Sequence, residues 1–267
     1  MRSNIKLLKR LMPSCIGLYL VIQFSNIRMQ PTAYHLLHHY VFGHFMLRII
    51  LCCITLCYYL HLQKKKDIKD VIVPCTHYYR LTTGTILVQL IMTFALLLLS
   101  SIKETLWHPS VQPIVHFSSR IDFVCRGIIE ITCMAAILEE LLFRGILEKL
   151  LHKIIPIRLW ITLISALAFS VMHGNMSHNL LYFVMGCFLS QLYYQTNHII
   201  YPMMAHGLHN LCATSIIYLR LDEPLYLAIN SLTIVMRIIL AIGSLLAVYG
   251  YVTYKLVDPK TKKYHLN

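Results

Sequence analysis

Gly84-Thr-Ile-Leu-Val-Gln-Leu-Ile-Met-Thr-Phe-Ala-Leu-Leu-Leu-Leu-Ser-Ser-Ile102 runs 19 positions without a charged side chain. A hydrocarbon layer about 30 Å thick is crossed by roughly 20 apolar residues of helix, so this stretch predicts a transmembrane span. Similar apolar runs lie on both sides of it, over residues 11–27, 41–62, 121 or 127 to 155, 158–172, 179–195, 199–219 and 227–254. The chain has 267 residues, of which 57% are hydrophobic and 13% charged, a balance that excludes an ordinary soluble domain. The fold class expected is all-α, a polytopic transmembrane helix bundle of about eight spans by the 20-residue rule.

The formal charge of +13 does not point to nucleic acid, because Lys and Arg stand in short runs between apolar segments rather than along one amphipathic face. They act as an orientation signal. Arg2, Lys6, Lys9 and Arg10 precede a first helix read as retained rather than cleaved. With eight spans, this cluster falls on the same side as Lys64, Lys65, Lys66 and Lys69, the Lys149 to Arg158 corner, and the tail with Lys255, Lys260, Lys262 and Lys263. Both termini are then cytoplasmic and the protein is a multi-pass protein of the cell membrane. The nine cysteines contain no C-x-x-C pair and sit mostly in apolar segments, where Cys packs as a small hydrophobe.

One span carries several charges, each costing roughly 2.5–3.5 kcal/mol at mid-membrane unless partnered or used. It contains Ile137-Leu-Glu-Glu-Leu-Leu-Phe-Arg-Gly145. Glu140 and Arg144 are i,i+4 neighbours on one helix face and are expected to pair. Glu139 is rotated about 100° from Glu140 and is left free to point elsewhere. The plain alternative is a solvated charge cluster.

Ser165-Ala-Leu-Ala-Phe-Ser-Val-Met-His173 follows, with its strongest polar group near the end. A lone His there is more often an interface residue than a functional one. However, Glu139 and His173 each lie 17 residues from Pro156. Two antiparallel helices joined at that corner would carry both to the same depth, roughly 25 Å away. In Tyr201-Pro-Met-Met-Ala-His-Gly-Leu-His-Asn210, His206 and Asn210 are i,i+4 and face the same layer, whereas His209 falls on another face and reads as packing.

In order and spacing, Glu139-Glu140-x-x-x-Arg144, Phe169-x-x-x-His173 and His206-x-x-x-Asn210 resemble the three motifs of the CAAX protease and bacteriocin-processing family (CPBP, or Abi). Gly145 resembles the usual continuation of the first motif. The likeness covers about residues 125–220. It implies an intramembrane endopeptidase, similar to type II CAAX prenyl endopeptidases, in which Glu139 activates water with help from His173. His206 and Asn210 would stabilise the oxyanion, and Glu140 with Arg144 would hold the first motif in shape, a more direct role for Glu140 being the alternative.

The residue types suit amide hydrolysis, which needs a base for water and donors for the developing oxyanion. No G-x-S-x-G elbow and no H-E-x-x-H pair occurs. A peptidase core is expected over 121–220, after N-terminal membrane helices of unassigned role over 1–120 and before a final helix and basic tail over 221–267. The expected substrate is a membrane-associated peptide or lipidated protein, in the bilayer, with no nucleic-acid partner. The rival is a non-catalytic membrane protein giving immunity against a membrane-active peptide, and bacteriocin processing or self-immunity is compatible with catalysis. No cofactor is expected. Zinc is the alternative, since Glu139, His173 and His206 are all zinc-ligand types, but Glu140, the extra acid available as an outer partner, is already matched by Arg144.

Elsewhere, His35, His38, His39 and His44 read as an interfacial belt beside Tyr34 and Tyr40 rather than a metal site. Arg126 and Glu130 form an i,i+4 pair of structural character. Arg48 and Arg237 lie in apolar runs, where they snorkel or line a cavity. His152 and His178 sit near helix ends.

Overall fold

The computed structural model describes residues 49–61, 78–107, 117–173 and 178–256. All regular structure among them is helical. The predicted first span, His35 to His44, Arg48 and most of the basic runs lie outside the described residues.

Eight helices follow in order: α1 (Ile49–His61), α2 (Tyr78–Trp107), α3 (residues 120–152), α4 (Arg158–Met172), α5 (Asn179–Thr196), α6 (Ile200–Tyr218), α7 (Asp222–Asn230) and α8 (Ile234–Tyr254). Within α2 and α8, Thr82–Leu106 and Ile234–Tyr254 are long and apolar enough to cross a membrane. At 15 residues, α4 is shorter than the roughly 20 that a full crossing takes.

The turns follow local chemistry. The Ser119 hydroxyl caps α3 by accepting from the Asp122 N–H at 3.1 Å. Asn197 closes α5 in the left-handed region with φ 51°, a conformation that Asn tolerates better than most residues. The expected single helix over 227–254 is instead two. The chain breaks after Asn230, and the Thr233 hydroxyl caps α8 by accepting from the Met236 N–H at 3.3 Å. With nine residues, none of them buried, α7 is too short to cross.

α3 is not a uniform α-helix. Phe123–Ala135 and Leu141–Glu148 adopt π-helical hydrogen bonding, and the five residues Ala136–Glu140 between them are α-helical. π turns are rare and frequent at functional sites. The Thr132 hydroxyl donates to the Gly127 carbonyl five residues back, at 2.8 Å.

α2 and α8 pack antiparallel. A Cβ placed on Gly84 near the start of α2 would meet Leu256 just past the end of α8, at 2.7 Å. At the other end, the Arg237 guanidinium donates to the Ser101 hydroxyl at 2.6 Å, to the Thr105 hydroxyl at 2.9 Å and to the Asn230 side chain. The main core joins Val88 and Met92 of α2 to Leu189 and Leu192 of α5, Tyr201 and Ala205 of α6, and Val252 of α8. A second cluster sets Leu51 of α1 and Phe169 of α4 against Leu138, Leu142 and Phe143. The second cluster borders the segment that carries Glu139 and Glu140.

Candidate active site

Glu139 and Glu140 are adjacent in the short α-helical segment of α3, and their carboxylates serve different neighbours. Glu140 is fully buried and accepts from Arg144 Nη1 at 2.9 Å, the predicted i,i+4 pair. Its Oε1 also lies 2.9 Å from His206 Nδ1. Arg144 reaches across to α5, where its Nη2 donates to the Gly186 carbonyl at 2.9 Å, and its Nε is 3.7 Å from Glu148. Burying an ion pair costs less when other groups also bond it, and here His206 of α6 and the Gly186 carbonyl of α5 do so. Gly186 matters because its backbone lies against α4: a Cβ there would come within 2.9 Å of Ala166 Cα.

Glu139 Oε2 faces two imidazoles, with His173 Nε2 and His206 Nε2 each 3.8 Å away. This oxygen is buried and has no hydrogen-bond partner among the described residues. His173 Nδ1 is 2.8 Å from the Phe169 carbonyl. A carbonyl only accepts, so Nδ1 carries the proton, and in the neutral ring Nε2 presents a lone pair towards Glu139. For His206, Nδ1 beside the Glu140 carboxylate is likewise the donor, and its Nε2 faces the same oxygen.

Exposure grades across the group. The side chains of His173 and Glu139 are 24% and 19% accessible, whereas His206 is 4% and Glu140 and Arg144 are sealed. Phe169 connects the layers: its ring contacts those of His173 at 4.7 Å and His206 at 5.7 Å, and the Arg144 guanidinium lies over it at 5.1 Å. From α5, Tyr182 stacks on His173 with centroids 4.0 Å apart.

The Asn210 side chain donates to the Ile131 carbonyl at 2.9 Å, bracing the π-helical part of α3. Its second N–H has no partner among the described residues. Gly207 lets α6 approach this part of α3, since a Cβ there would meet the Thr132 carbonyl at 3.3 Å.

Residues 122–212, about a third of the chain, match the family model described as Type II CAAX prenyl endopeptidase, Rce1-like. That segment is similar to the CAAX protease family. The family's members are membrane proteases, and the matched range contains all seven named residues of the three motifs. Comparison with curated proteins and with solved structures gave no match.

Within the matched segment, the structure brings Glu139, Glu140, Arg144, His173 and His206 into one contiguous group, and Asn210 bonds Ile131 farther along α3. His209, outside this group, bonds Thr93 of α2 at 3.2 Å. Thr93 lies near the middle of the Thr82–Leu106 span, so the site, one turn away on α6, is at mid-span depth. Arg126 pairs with Asp122 at 2.8 Å, one turn before it. Among the described residues no group of three His, Cys, Asp or Glu side chains is arranged to hold a metal ion.

Glu148, Gly186 and Tyr182 were not singled out from sequence. Glu148 was legible, since Glu140, Arg144 and Glu148 form an i, i+4, i+8 ladder. Tyr182 was not, because it meets His173 only across the junction between α4 and α5.

Proposed function

We propose that this chain is an intramembrane endopeptidase that hydrolyses a peptide bond in a membrane-associated, CAAX-like or lipidated substrate, using water activated by Glu139. The carrying observation is the unpartnered Glu139 Oε2 facing two imidazole Nε2 atoms at 3.8 Å. Polar atoms at that separation are suited to sharing a water molecule.

In the proposed reaction, water oxygen attacks the scissile carbonyl carbon while its proton passes to Glu139. The tetrahedral oxyanion collapses, the C–N bond breaks, and the proton moves from Glu139 to the leaving amine, with His173 assisting. Oxyanion stabilisation falls to His206 and to the free N–H of Asn210. With its Nδ1 proton given to Glu140, His206 donates through Nε2 only as the doubly protonated ring, and the adjacent carboxylate is placed to accompany that state. Glu140, itself held by Arg144, anchors the His206 ring at Nδ1.

The proposed mechanism is metal-independent. Glu140, the extra acid that could serve as an outer partner of a zinc-ligating histidine, is already engaged by Arg144 and His206. The proposed setting is the cell membrane, with the basic corners on the cytoplasmic side.

The experiment is cleavage by purified protein in lipid vesicles, before and after prolonged chelation. Its substrates are a peptide ending in a prenylated Cys-aliphatic-aliphatic-X sequence and the same peptide without the lipid. Cleavage of the prenylated peptide, unaffected by chelation, is expected. Loss of activity on chelation with recovery on adding zinc would replace the glutamate-only mechanism. Failure to cleave either peptide would remove the CAAX-like substrate.

A further inference from the structure

His173 sits at the C-terminal cap of α4, and its Nε2 must be held towards Glu139 although about a quarter of the side chain is accessible. From α4 itself it receives the Phe169 carbonyl at Nδ1 and the tilted Phe169 ring. A single hydrogen bond to the carbonyl one turn back fixes the tautomer but leaves the ring plane free to swing about it. The imidazole also stacks on the Tyr182 ring, with centroids 4.0 Å apart and planes 22° from parallel. Tyr182 stands in the first turn of α5, a helix locked onto α4 by the Ser170 hydroxyl donating to the Asn179 carbonyl at 2.6 Å and by the close approach of Gly186 to Ala166.

Phe169 is in turn immobilised, at 1% exposure, against Phe143 with ring centroids 5.3 Å apart. The imidazole is thus confined by contact with one ring from its own helix and one from the next. Stacked aromatic pairs contribute beyond their buried area, and their geometry restricts the tilt of the partner.

From this confinement we infer that Tyr182 is a positioning residue, whose ring holds the His173 imidazole in the plane that aims Nε2 at Glu139. The assignment rests on the proposed role of His173 in peptide hydrolysis. It concerns the ring and not the phenol hydroxyl, so Tyr182→Phe and Tyr182→Leu separate the two. With the prenylated peptide in vesicles, Tyr182→Phe is expected to keep kcat within about twofold, as the stack survives. Tyr182→Leu, which retains apolar bulk without the ring, is expected to lower kcat by about 10- to 100-fold with KM little changed, the scale of a misplaced catalytic group.

A second measurement needs no substrate. In protein carrying isotope-labelled histidine, the His173 ring-proton resonances should show the upfield displacement of a stacked ring in wild type and Tyr182→Phe, and lose part of it in Tyr182→Leu. If wild type cleaves nothing, the hydrolytic proposal fails while these resonances still decide the stacking. Wild-type kcat in Tyr182→Leu, unchanged His173 resonances in that variant, or a loss in Tyr182→Phe as deep as in Tyr182→Leu would each overturn the assignment.

Discussion

Arg144 shows how the group is held at the scale of one residue. Its guanidinium has no accessible surface and binds the Glu140 carboxylate and the Gly186 carbonyl, with the Glu148 carboxylate nearby. Arg144→Ala leaves two carboxylates without a cation in a sealed layer. Breaking a buried pair in this way costs roughly 3–5 kcal/mol, which for a chain of this size lowers Tm by on the order of 10 °C. The measurement is thermal unfolding in detergent. A variant that melts like wild type but does not cleave would place Arg144 in the chemistry instead. Arg144→Lys should recover only part of the loss, because an ammonium cannot reproduce the planar fork that reaches Glu140 and Gly186 together. The Glu140–Arg144 contact was legible from i,i+4 spacing, and the depth of Glu139 and His173 from their equal distance to Pro156. The partner of Asn210 was not, because an amide in an apolar helix takes whichever backbone carbonyl the facing helix leaves within reach, here that of Ile131.

At the scale of elements, the bounds of α4, α5 and α6 were legible to within a residue or two, since Pro156 and Asn197 end the helices before them. Two features were hidden. The π-helical stretches of α3 leave no periodic signature, because apolar residues surround both hydrogen-bonding patterns and tertiary contacts select between them. The break before α8 depends on the short Asn230 to Thr233 sequence, which hydropathy alone reads as a lapse within one apolar run. The α4–α5 contact carries the clearest prediction at this level. Adding a Cβ at Gly186 gains up to about 1 kcal/mol of helix propensity, but it drives an atom to 2.9 Å from Ala166 Cα, and overpacking of that kind costs about 1–3 kcal/mol. Gly186→Ala is therefore expected to lower Tm and, by shifting α4, to lower turnover. Gly243→Ala, where nothing lies within 4 Å, supplies the control and should melt at or above the wild-type temperature. Equal Tm values for both variants would contradict the close packing of α4 on α5.

Across the whole molecule, the antiparallel α2 and α8 give the bundle two distinct ends. The Gln191 side chain accepts from Arg158 at the start of α4 and donates to Thr253 near the end of α8 at 3.4 Å, so the corner with Lys149 and Arg158 shares an end with Lys255. Ser101, Asn230 and Arg237 lie at the other end. This arrangement fits the proposed cytoplasmic side for the basic segments. His209 on Thr93 sets the site near the middle of the α2 span, and the short α4 ends beside it at His173. A peptide bond brought to that depth would meet the accessible carboxylate of Glu139 before the sealed one of Glu140. The most direct test of the central claim is the turnover of Glu139→Gln in lipid vesicles with the prenylated peptide. This substitution keeps the shape and removes the base. Loss of a general base predicts a fall of about 10²- to 10⁴-fold in kcat with unchanged Tm; turnover within a few-fold of wild type in the folded variant would contradict Glu139 as the group that activates water.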